Sequence, residues 1–217
     1  MGVFAEDMVR SVDCVLLAAG SSERMGRPKL LMSLGPTTIF ETSLANHAAS
    51  SVRSVLAVVP GWVAEFAEMA ARLETERVRF LFVERPCEIS ESLRAGWEWV
   101  CANRAPDGIM ISLADKPLLT AQTIDGVVGA YAAGGCDACV PTYRGSWGHP
   151  VILDSSLGGE ILNLHGDRGA RAVLEAHRDR LREVPVASDE IVFDVDEEPH
   201  LAELRARLAS RGPVANG

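Results

Sequence analysis

A short basic loop near the start of the chain has the composition of a phosphate-binding turn. Residues 17–31 read LAAGSSERMGRPKLL and directly follow an apolar run. The small residues at 18–20 let the backbone approach a ligand closely and point N–H groups at phosphate oxygens, while Arg24 and Lys29 supply positive charge. The segment therefore favours a triphosphate ligand, and the alternative is an ordinary basic loop.

A second position with chemical potential is Asp115, in the run LADKP at residues 113–117. It follows a predicted strand, so we expect it at the carboxyl end of that strand, facing the same edge of the sheet as the basic loop. Mg²⁺ prefers one or two carboxylates together with phosphate oxygens and waters. Asp115 is therefore the candidate ligand of a Mg²⁺ ion that bridges the triphosphate, and the alternative is an Asp that only starts a turn.

Two common nucleotide-binding patterns are missing from the first loop. It contains no Gly-Lys-Ser/Thr of a Walker loop and no GxGxxG that opens a helix. A nicotinamide oxidoreductase on a Rossmann sheet predicts that fingerprint and an acidic residue about 20 positions later. Glu41 lies roughly there, but without the glycines the oxidoreductase interpretation is disfavoured.

The composition narrows the class of protein further. A formal net charge of -9 over 217 residues disfavours nucleic-acid binding, so a phosphate site must be a local basic pocket. No apolar run reaches the roughly 18 residues of a membrane helix, and the N-terminal segment is acidic where a signal peptide is basic, so we expect a cytoplasmic protein without a membrane partner. The CxxC pair Cys136 and Cys139 lacks a second Cys or His pair, which disfavours a zinc or redox role.

Alternating strand and helix patterns predict the elements that position these residues. Short runs rich in Val, Ile and Leu predict buried strands, and apolar residues at helical spacing lie between them. The strands are expected at 12–18, 54–59, 78–83, 109–113 and 138–141, and the helices at 39–48, 63–73, 93–100 and 124–131, with Thr38, Ser90 and Thr120 as cap signals. This alternation predicts a three-layer, Rossmann-like α/β fold with a mostly parallel central sheet and helices on both faces.

The pattern changes after residue 141. Arg144-Gly145-Ser146 lies between two extended runs, which predicts a small inserted β-hairpin within 142–152, followed by short helices around 157–176. Residues 191–195 predict a last strand, and residues 201–208 predict a closing helix. No internal repeat or long linker divides the chain, so residues 1–217 are expected to form one domain with a flexible tail at 209–217.

Several motifs together resemble one family. LAAG-S-S-x-R-M-G-x-P-K-L-L resembles the nucleotide-binding signature of the molybdopterin nucleotidyltransferases, and LADKP resembles their metal-binding LADxP segment. GHP at 148–150 and GDRGAR at 166–171 resemble segments of the molybdenum cofactor cytidylyltransferases. DVD at 194–196 resembles the family's DxD, although EEP at 197–199 replaces the usual Asp-Thr-Pro. The resemblance covers residues 12–208 and implies a nucleotidyltransferase fold.

The resemblance also implies roles for individual residues. The first loop binds the nucleotide, and its two basic residues contact the phosphates and act in catalysis together with the metal-binding aspartate. A serine after the third strand reads the nucleobase, although Ser90 is also a good helix N-cap. The nucleotide-binding residues are Leu17, Ala18, Ala19, Gly20, Arg24, Lys29, Ser90 and Ser92; the catalytic residues are Arg24, Lys29 and Asp115; the acceptor-binding residues are His149, Asp167 and Arg171; the metal ligands are Asp115, Asp194 and Asp196.

Three of these assignments keep a structural alternative. A lone histidine such as His149 is usually a satisfied structural residue. The resemblance implies that one carboxylate of the DxD, Asp194 or Asp196, completes the metal site, and the alternative is that either one caps the final helix through its N-terminal dipole.

The activity implied is Mg²⁺-dependent transfer of CMP from CTP to a molybdopterin-type cofactor, with release of pyrophosphate. Residues 12–141 then form a nucleotide-binding part and 142–208 an acceptor-binding part, and a molybdoenzyme is the partner that receives the product. The acceptor phosphate attacks the α-phosphorus in line, so no nucleophilic side chain is required. The alternatives are a guanylyltransferase, a transferase for another phosphorylated metabolite, and a non-catalytic cofactor carrier or maturation protein, against which the intact Lys29 and Asp115 argue.

Overall fold

A computed structural model describes residues 10–20, 28–86, 88–166, 169–195 and 198–211. The strands are β1 (Val12–Leu17), β2 (Val55–Pro60), β3 (Val78–Val83), β4 (Gly108–Leu113), β5 (Ala138–Tyr143), β6 (Ser146–Trp147), β7 (Val151–Asp154) and β8 (Leu181–Pro185). The helices are α1 (Ile39–Ala48), α2 (Ala64–Leu73), α3 (Ile89–Arg104), α4 (Ala121–Ala132), α5 (Gly158–Leu162), α6 (Arg171–Ala176) and α7 (Glu198–Ser210).

The strands form one mostly parallel sheet. Its order is β3-β2-β1-β4-β7-β5-β6, and β8 pairs with β5 off this path. The pairs β2–β3, β1–β2, β1–β4 and β5–β8 are parallel, whereas β7 runs antiparallel between β4 and β5. The predicted Rossmann-like α/β fold with a mostly parallel sheet is confirmed.

Helices cover both faces of the sheet because alternate residues of each buried strand point to opposite sides. Cys14 and Leu16 of β1 pack into one apolar cluster with side chains of α1, α2 and α4. Val15 and Leu17 pack into a second cluster with side chains of α3, α5 and α6. A smaller third cluster joins α7 to Ile39 at the start of α1. The part of the chain that the structure describes contains no helix both long and apolar enough to cross a bilayer.

Two of the three predicted helix caps are confirmed. Thr38 forms a complete capping box with Glu41, and the side chain of Thr120 accepts a hydrogen bond from the backbone N–H of Thr123. The third is wrong, because α3 begins at Ile89 and its N-cap position is Glu88, which makes no side-chain cap hydrogen bond. Ser90 therefore lies inside the first turn of α3.

The inserted hairpin is confirmed, and its turn explains the sequence. β5 and β6 pair antiparallel, and the two residues between them, Arg144 and Gly145, have φ angles of 50° and 81°. Positive φ at both central positions matches the right-handed twist of the flanking strands, and glycine adopts it without a steric penalty.

The predicted strand at 191–195 is wrong, and β8 is the strand that the sequence pattern missed. The structure has a short 3-10 helix at Asp189–Ile191 followed by irregular chain. Ile191 and Val195 are fully buried, so their apolar spacing reflects packing and not pairing in the sheet. β8 instead has the sequence LREVP, in which every residue is at least partly exposed and which lacks a continuous apolar run.

Candidate functional site

A cavity of about 200 Å³ opens at the carboxyl ends of β1 and β4. The two strands end in register, with Leu17 opposite Leu113, and the N–H of Ala114 donates to the carbonyl of Leu17 at 2.9 Å. The chain therefore leaves both strands at the same place, as parallel strands require. The residues that line the cavity are Leu17, Ala18, Ala19, Gly20, Leu30, Ile89, Ser92, Leu113 and Asp115.

The small side chains of the first loop bring its backbone to the wall of this cavity. Ala18 and Ala19 are both buried, and the N–H of Ala18 donates to the carbonyl of Val58 at 2.9 Å. This bond fixes the start of the turn against β2. The loop residues Leu17, Ala18, Ala19 and Gly20 all line the cavity, and their contact with a nucleotide stays a prediction.

Lys29 and Asp115, which are 86 positions apart in sequence, meet beside the cavity. The distance from Lys29 Nζ to Asp115 Oδ2 is 2.8 Å, and the two side chains are 7% and 24% exposed. Lys29 is held in this place by a short 3-10 helix at Lys29–Leu31. Burial of these two charges carries a desolvation cost, which the short contact between the ammonium and the carboxylate offsets in part.

The second oxygen of Asp115 has the features of a cation ligand. Asp115 Oδ1 is shielded from solvent and has no hydrogen-bond partner in the described part of the chain. A buried carboxylate oxygen without a donor is costly unless something positive binds it. Asp115 therefore fits a divalent cation, although no group of three or more His, Cys, Asp or Glu among the described residues forms a complete metal site. This is the donor set of a cation that takes most of its ligands from substrate phosphates and water.

Asp194, the other described metal candidate, is engaged by a different lysine. Lys116 Nζ lies 2.6 Å from Asp194 Oδ1 and donates to the carbonyl of Phe193 at 3.1 Å. The Lys116 side chain is 4% exposed, whereas that of Asp194 is 53% exposed. Asp194 as a metal ligand stays a prediction.

The two candidate serines at the start of α3 differ in position. Ser92 lines the cavity together with Ile89. Ser90 is fully buried and does not line it, and its hydroxyl has no hydrogen-bond partner among the described residues. The structure therefore places Ser92 at the cavity and Ser90 behind its wall.

The predicted acceptor-binding residues His149 and Arg171 line a second cavity of about 80 Å³. The other lining residues are Val140, Trp147, Gly148, Val151, Ala170 and Leu174. His149 Nδ1 is shielded from solvent and lacks a partner within the described ranges. The Nε of Arg171 donates to Glu175 at 3.0 Å, and its guanidinium lies 5.9 Å from the centre of the Trp147 ring.

The environment of His149 favours the neutral form of its imidazole. Burial lowers the pKa of its imidazole, and the positive charge of Lys116 lowers it further. The carbonyl of Ile111 and the charges of Asp115 and Asp194 oppose this shift. The ring is therefore neutral near pH 7 and lies close enough to all three charged groups to respond to them.

Sequence reasoning missed three basic or aromatic residues at the site. Trp147 carries the guanidinium of Arg178 over its ring at 5.0 Å, beside that of Arg171. Lys116 occupies the variable position of the LADxP pattern, so the motif assigned it no role. The rarity of lysine could have pointed to it, because the chain contains only two lysines, Lys29 and Lys116.

Some predicted residues fall outside the described ranges, namely Arg24, Asp167 and Asp196.

The Cys136 and Cys139 thiols lie 3.5 Å apart, and both residues are buried and free. Burial raises the pKa of Cys139, which makes its thiolate scarce and the thiol unreactive.

Comparisons with known proteins identify a family model and a curated relative that match most of the chain. A model of the MobA-like NTP transferase domain matches residues 14–181. Purine catabolism protein PucB of Bacillus subtilis (strain 168) is 28% identical over 167 residues, which cover 75% of this chain and 80% of PucB.

Solved structures share the fold over nearly the whole chain. The crystal structure of a Mycobacterium tuberculosis Rv0371c homologue from Mycobacterium sp. strain JC1 has a TM-score of 0.77 at 28% identity, over 92% of this chain and 98% of that one. Rv0371c of M. tuberculosis H37Rv, crystallised in complex with manganese, has a TM-score of 0.72 at 24% identity, over 91% and 99%. A nucleotidyl transferase from Methanothermobacter thermautotroptrophicus has a TM-score of 0.76 at 19% identity, over 93% and 99%, which shows the shared fold.

Proposed function

The chain belongs to the family of MobA-like NTP transferase domains and is a nucleotidyltransferase, and we propose that it transfers CMP from CTP to a molybdopterin-type cofactor. Pyrophosphate is the second product. A cytoplasmic molybdoenzyme is the proposed recipient of the cofactor. CTP is preferred to GTP because the GHP and GDRGAR segments resemble the cytidylyltransferase branch.

The observation that carries the proposal is the convergence of three features on one cavity. The backbone of the LAAG turn lines it, Ser92 lines it from the start of α3, and Asp115 brings a carboxylate with an unpartnered oxygen. The Lys29 ammonium lies 2.8 Å from that carboxylate. Backbone N–H groups, an ammonium and a cation ligand are the groups that a nucleoside triphosphate needs.

The proposed chemistry relies on position and charge. The acceptor phosphate attacks the α-phosphorus in line, the bond to the bridging oxygen breaks, and pyrophosphate leaves. Lys29 stabilises negative charge on the triphosphate as it redistributes toward the leaving group. A divalent cation, proposed to be Mg²⁺ on Asp115, supplies charge neutralisation at the phosphates when bound.

The second cavity supports the acceptor assignment. Its volume of about 80 Å³ suits a group the size of a phosphate, and Arg171 places a guanidinium at its wall. His149 is neutral and has an imidazole nitrogen available for a hydrogen bond inside the protein. Residues 142–208 are accordingly proposed to form the acceptor-binding part and residues 12–141 the nucleotide-binding part.

The test is pyrophosphate release with Mg²⁺ and molybdopterin cofactor, with CTP, GTP, ATP and UTP offered separately. We expect release with CTP, and we expect its loss in Asp115→Ala. Release with GTP alone would assign the chain to the guanylyl branch. No release with any of the four nucleotides would contradict the proposed acceptor, and a screen of other phosphorylated metabolites with CTP would follow.

A further inference from the structure

A short segment at residues 189–195 packs directly against the His149 loop, which comprises residues 148–150. The N–H of His149 donates to the carbonyl of Ile191 at 3.1 Å. A Cβ atom at Gly148 would lie 2.5 Å from the same carbonyl oxygen, so the two backbones are in close contact. The position of His149, which lines the second cavity, therefore depends on where the backbone of Ile191 is held.

Glu190 holds this segment from inside the protein. Its side chain is 5% exposed, and its Oε2 accepts a hydrogen bond from Arg211 Nη2 at 2.9 Å. Its Oε1 accepts from the hydroxyls of Thr120 and Thr123, at the start of α4. A buried carboxylate is costly unless its oxygens are hydrogen-bonded and its charge is paired, and Glu190 meets both conditions. The residue that precedes Ile191 is therefore anchored through its side chain.

Arg211, directly after α7, joins this segment to the chain that follows LADKP. Its Nη1 donates to the carbonyl of Leu118 at 2.6 Å, while its Nη2 donates to Glu190. The chain around Leu118 has a second anchor, because Asn46 donates to the carbonyl of Pro117 at 3.1 Å. Loss of the Arg211 guanidinium would leave that chain held by Asn46, whereas it would leave the Glu190 carboxylate buried without its cation.

The arginines of α7 provide a contrast on one helix. Arg207 donates to both carboxylate oxygens of Asp189, at 2.7 and 3.0 Å, which places a second ion pair on the 189–195 segment. Arg205 donates instead to the carbonyl of Ser33 at 2.8 Å, in the chain that precedes α1. Arg205 is therefore a matched control for a role at the 189–195 segment.

We propose that the ion pair between Glu190 and Arg211 positions His149 for the acceptor. It acts through the carbonyl of Ile191, to which the His149 loop is hydrogen-bonded. Neither residue of the pair lines either of the two described cavities, so both are positioning residues and not catalytic ones. The inference rests on the proposed function in taking His149 as an acceptor-binding residue.

The first measurement needs no substrate. Hydrogen exchange of single backbone amides, followed by NMR, compares the wild type with Arg211→Gln, with the charge-preserving Arg211→Lys and with Arg205→Gln. We expect the His149 amide to exchange at least about tenfold faster in Arg211→Gln, because its acceptor carbonyl is no longer held. The amides at the ends of β1 and β4 should keep their wild-type rates. Arg211→Lys should restore most of the protection, and Arg205→Gln should leave it unchanged.

Steady-state kinetics then tests whether the pair acts through His149. Arg211→Gln should raise KM for the acceptor about five- to tenfold, with KM for CTP and kcat little changed. The double variant His149→Gln/Arg211→Gln should be no worse than His149→Gln alone, because two residues that act through one contact are not additive. A merely structural role of Arg211 would lower the thermal stability and leave this split between the two KM values absent.

Three results would overturn the inference. They are an unchanged exchange rate of the His149 amide in Arg211→Gln, faster exchange of all amides to the same extent, and KM effects that multiply in the double variant with His149→Gln. If Arg211→Gln does not fold, Glu190→Gln/Arg211→Gln gives the same decision, because it leaves no unpaired charge buried. Absence of turnover in the wild type would contradict the proposed function, whereas the exchange rates would still decide whether the ion pair holds the His149 loop.

Discussion

The two sides of the site are built from different kinds of backbone. The proposed nucleotide side, which is the first cavity, lies at the ends of the parallel strands β1 and β4, which are buried on both faces, and its walls are mostly apolar. The proposed acceptor side, which is the second cavity, depends on β6, β7 and a loop between them, and the side chain of Arg171 is 75% exposed there. The comparison indicates that the first side is formed in advance by the sheet, whereas the second depends on how one loop packs.

The largest effect should come from the charge on the nucleotide side. Lys29→Ala should lower kcat about 10²- to 10³-fold, because removal of one well-placed stabilising group from a dry site costs on the order of 3 kcal/mol in the barrier. Steady-state kinetics with CTP and acceptor measures this. Arg79→Ala, on the exposed side of β3, is the matched control and should retain activity. A loss below about fivefold would contradict a catalytic role for Lys29.

The buried His47 beneath the nucleotide side should make stability depend on pH. Its Nε2 lies 2.8 Å from Ser112 Oγ of β4, and burial lowers its pKa from 6.5 to about 4. Below pH 6.5 the unfolded chain binds a proton at His47 that the native state does not bind. The free energy of unfolding is therefore at its full value above pH 6.5 and decreases as the pH falls toward 4. This shift corresponds to about 3 kcal/mol.

Urea unfolding of the wild type and His47→Gln at several pH values tests this prediction. The wild type should lose more stability than the variant between pH 6.5 and 4. Parallel curves would show that His47 is not the group responsible.

A methyl group added at Gly148 should affect the binding of the acceptor without affecting the binding of CTP. A Cβ at Gly148 would lie 2.5 Å from the carbonyl oxygen of Ile191, so Gly148→Ala must shift the loop that carries His149. We expect a destabilisation of about 1–3 kcal/mol and a higher KM for the acceptor, with KM for CTP unchanged. Gly129→Ala is the control, because a Cβ there meets nothing within 4 Å. An equal rise in both KM values would argue against separate sides.

The smallest effect should come from His149 itself. His149→Gln removes an imidazole nitrogen that has no partner in the described structure, and we expect KM for the acceptor to rise about tenfold with kcat for CTP turnover little changed. His165→Gln, at an exposed histidine, serves as the matched control. Unchanged acceptor KM in His149→Gln would mean that the histidine is structural.

The place of the first cavity could be predicted from sequence because its signals are local. The run LAAG follows a buried strand, LADKP follows another, and parallel strands bring such ends together. The meeting of Lys29 with Asp115 follows from that topology. The acceptor side was predicted less fully, since Trp147 and Arg178 belong to elements 31 positions apart and no local pattern links them.

The amino-acid sequence by itself determined the alternation of strands and helices, the positions of the loops at the strand ends, and the residue types for phosphate and cation binding. Apolar spacing and turn chemistry act over a few residues, so these features can be read locally. Only the tertiary structure decided that residues 191–195 pack without joining the sheet, that β8 pairs with β5, and that Lys116 engages Asp194. Each of these depends on contacts between segments more than 40 positions apart, and in each case burial or pairing with a distant partner outweighs the local pattern.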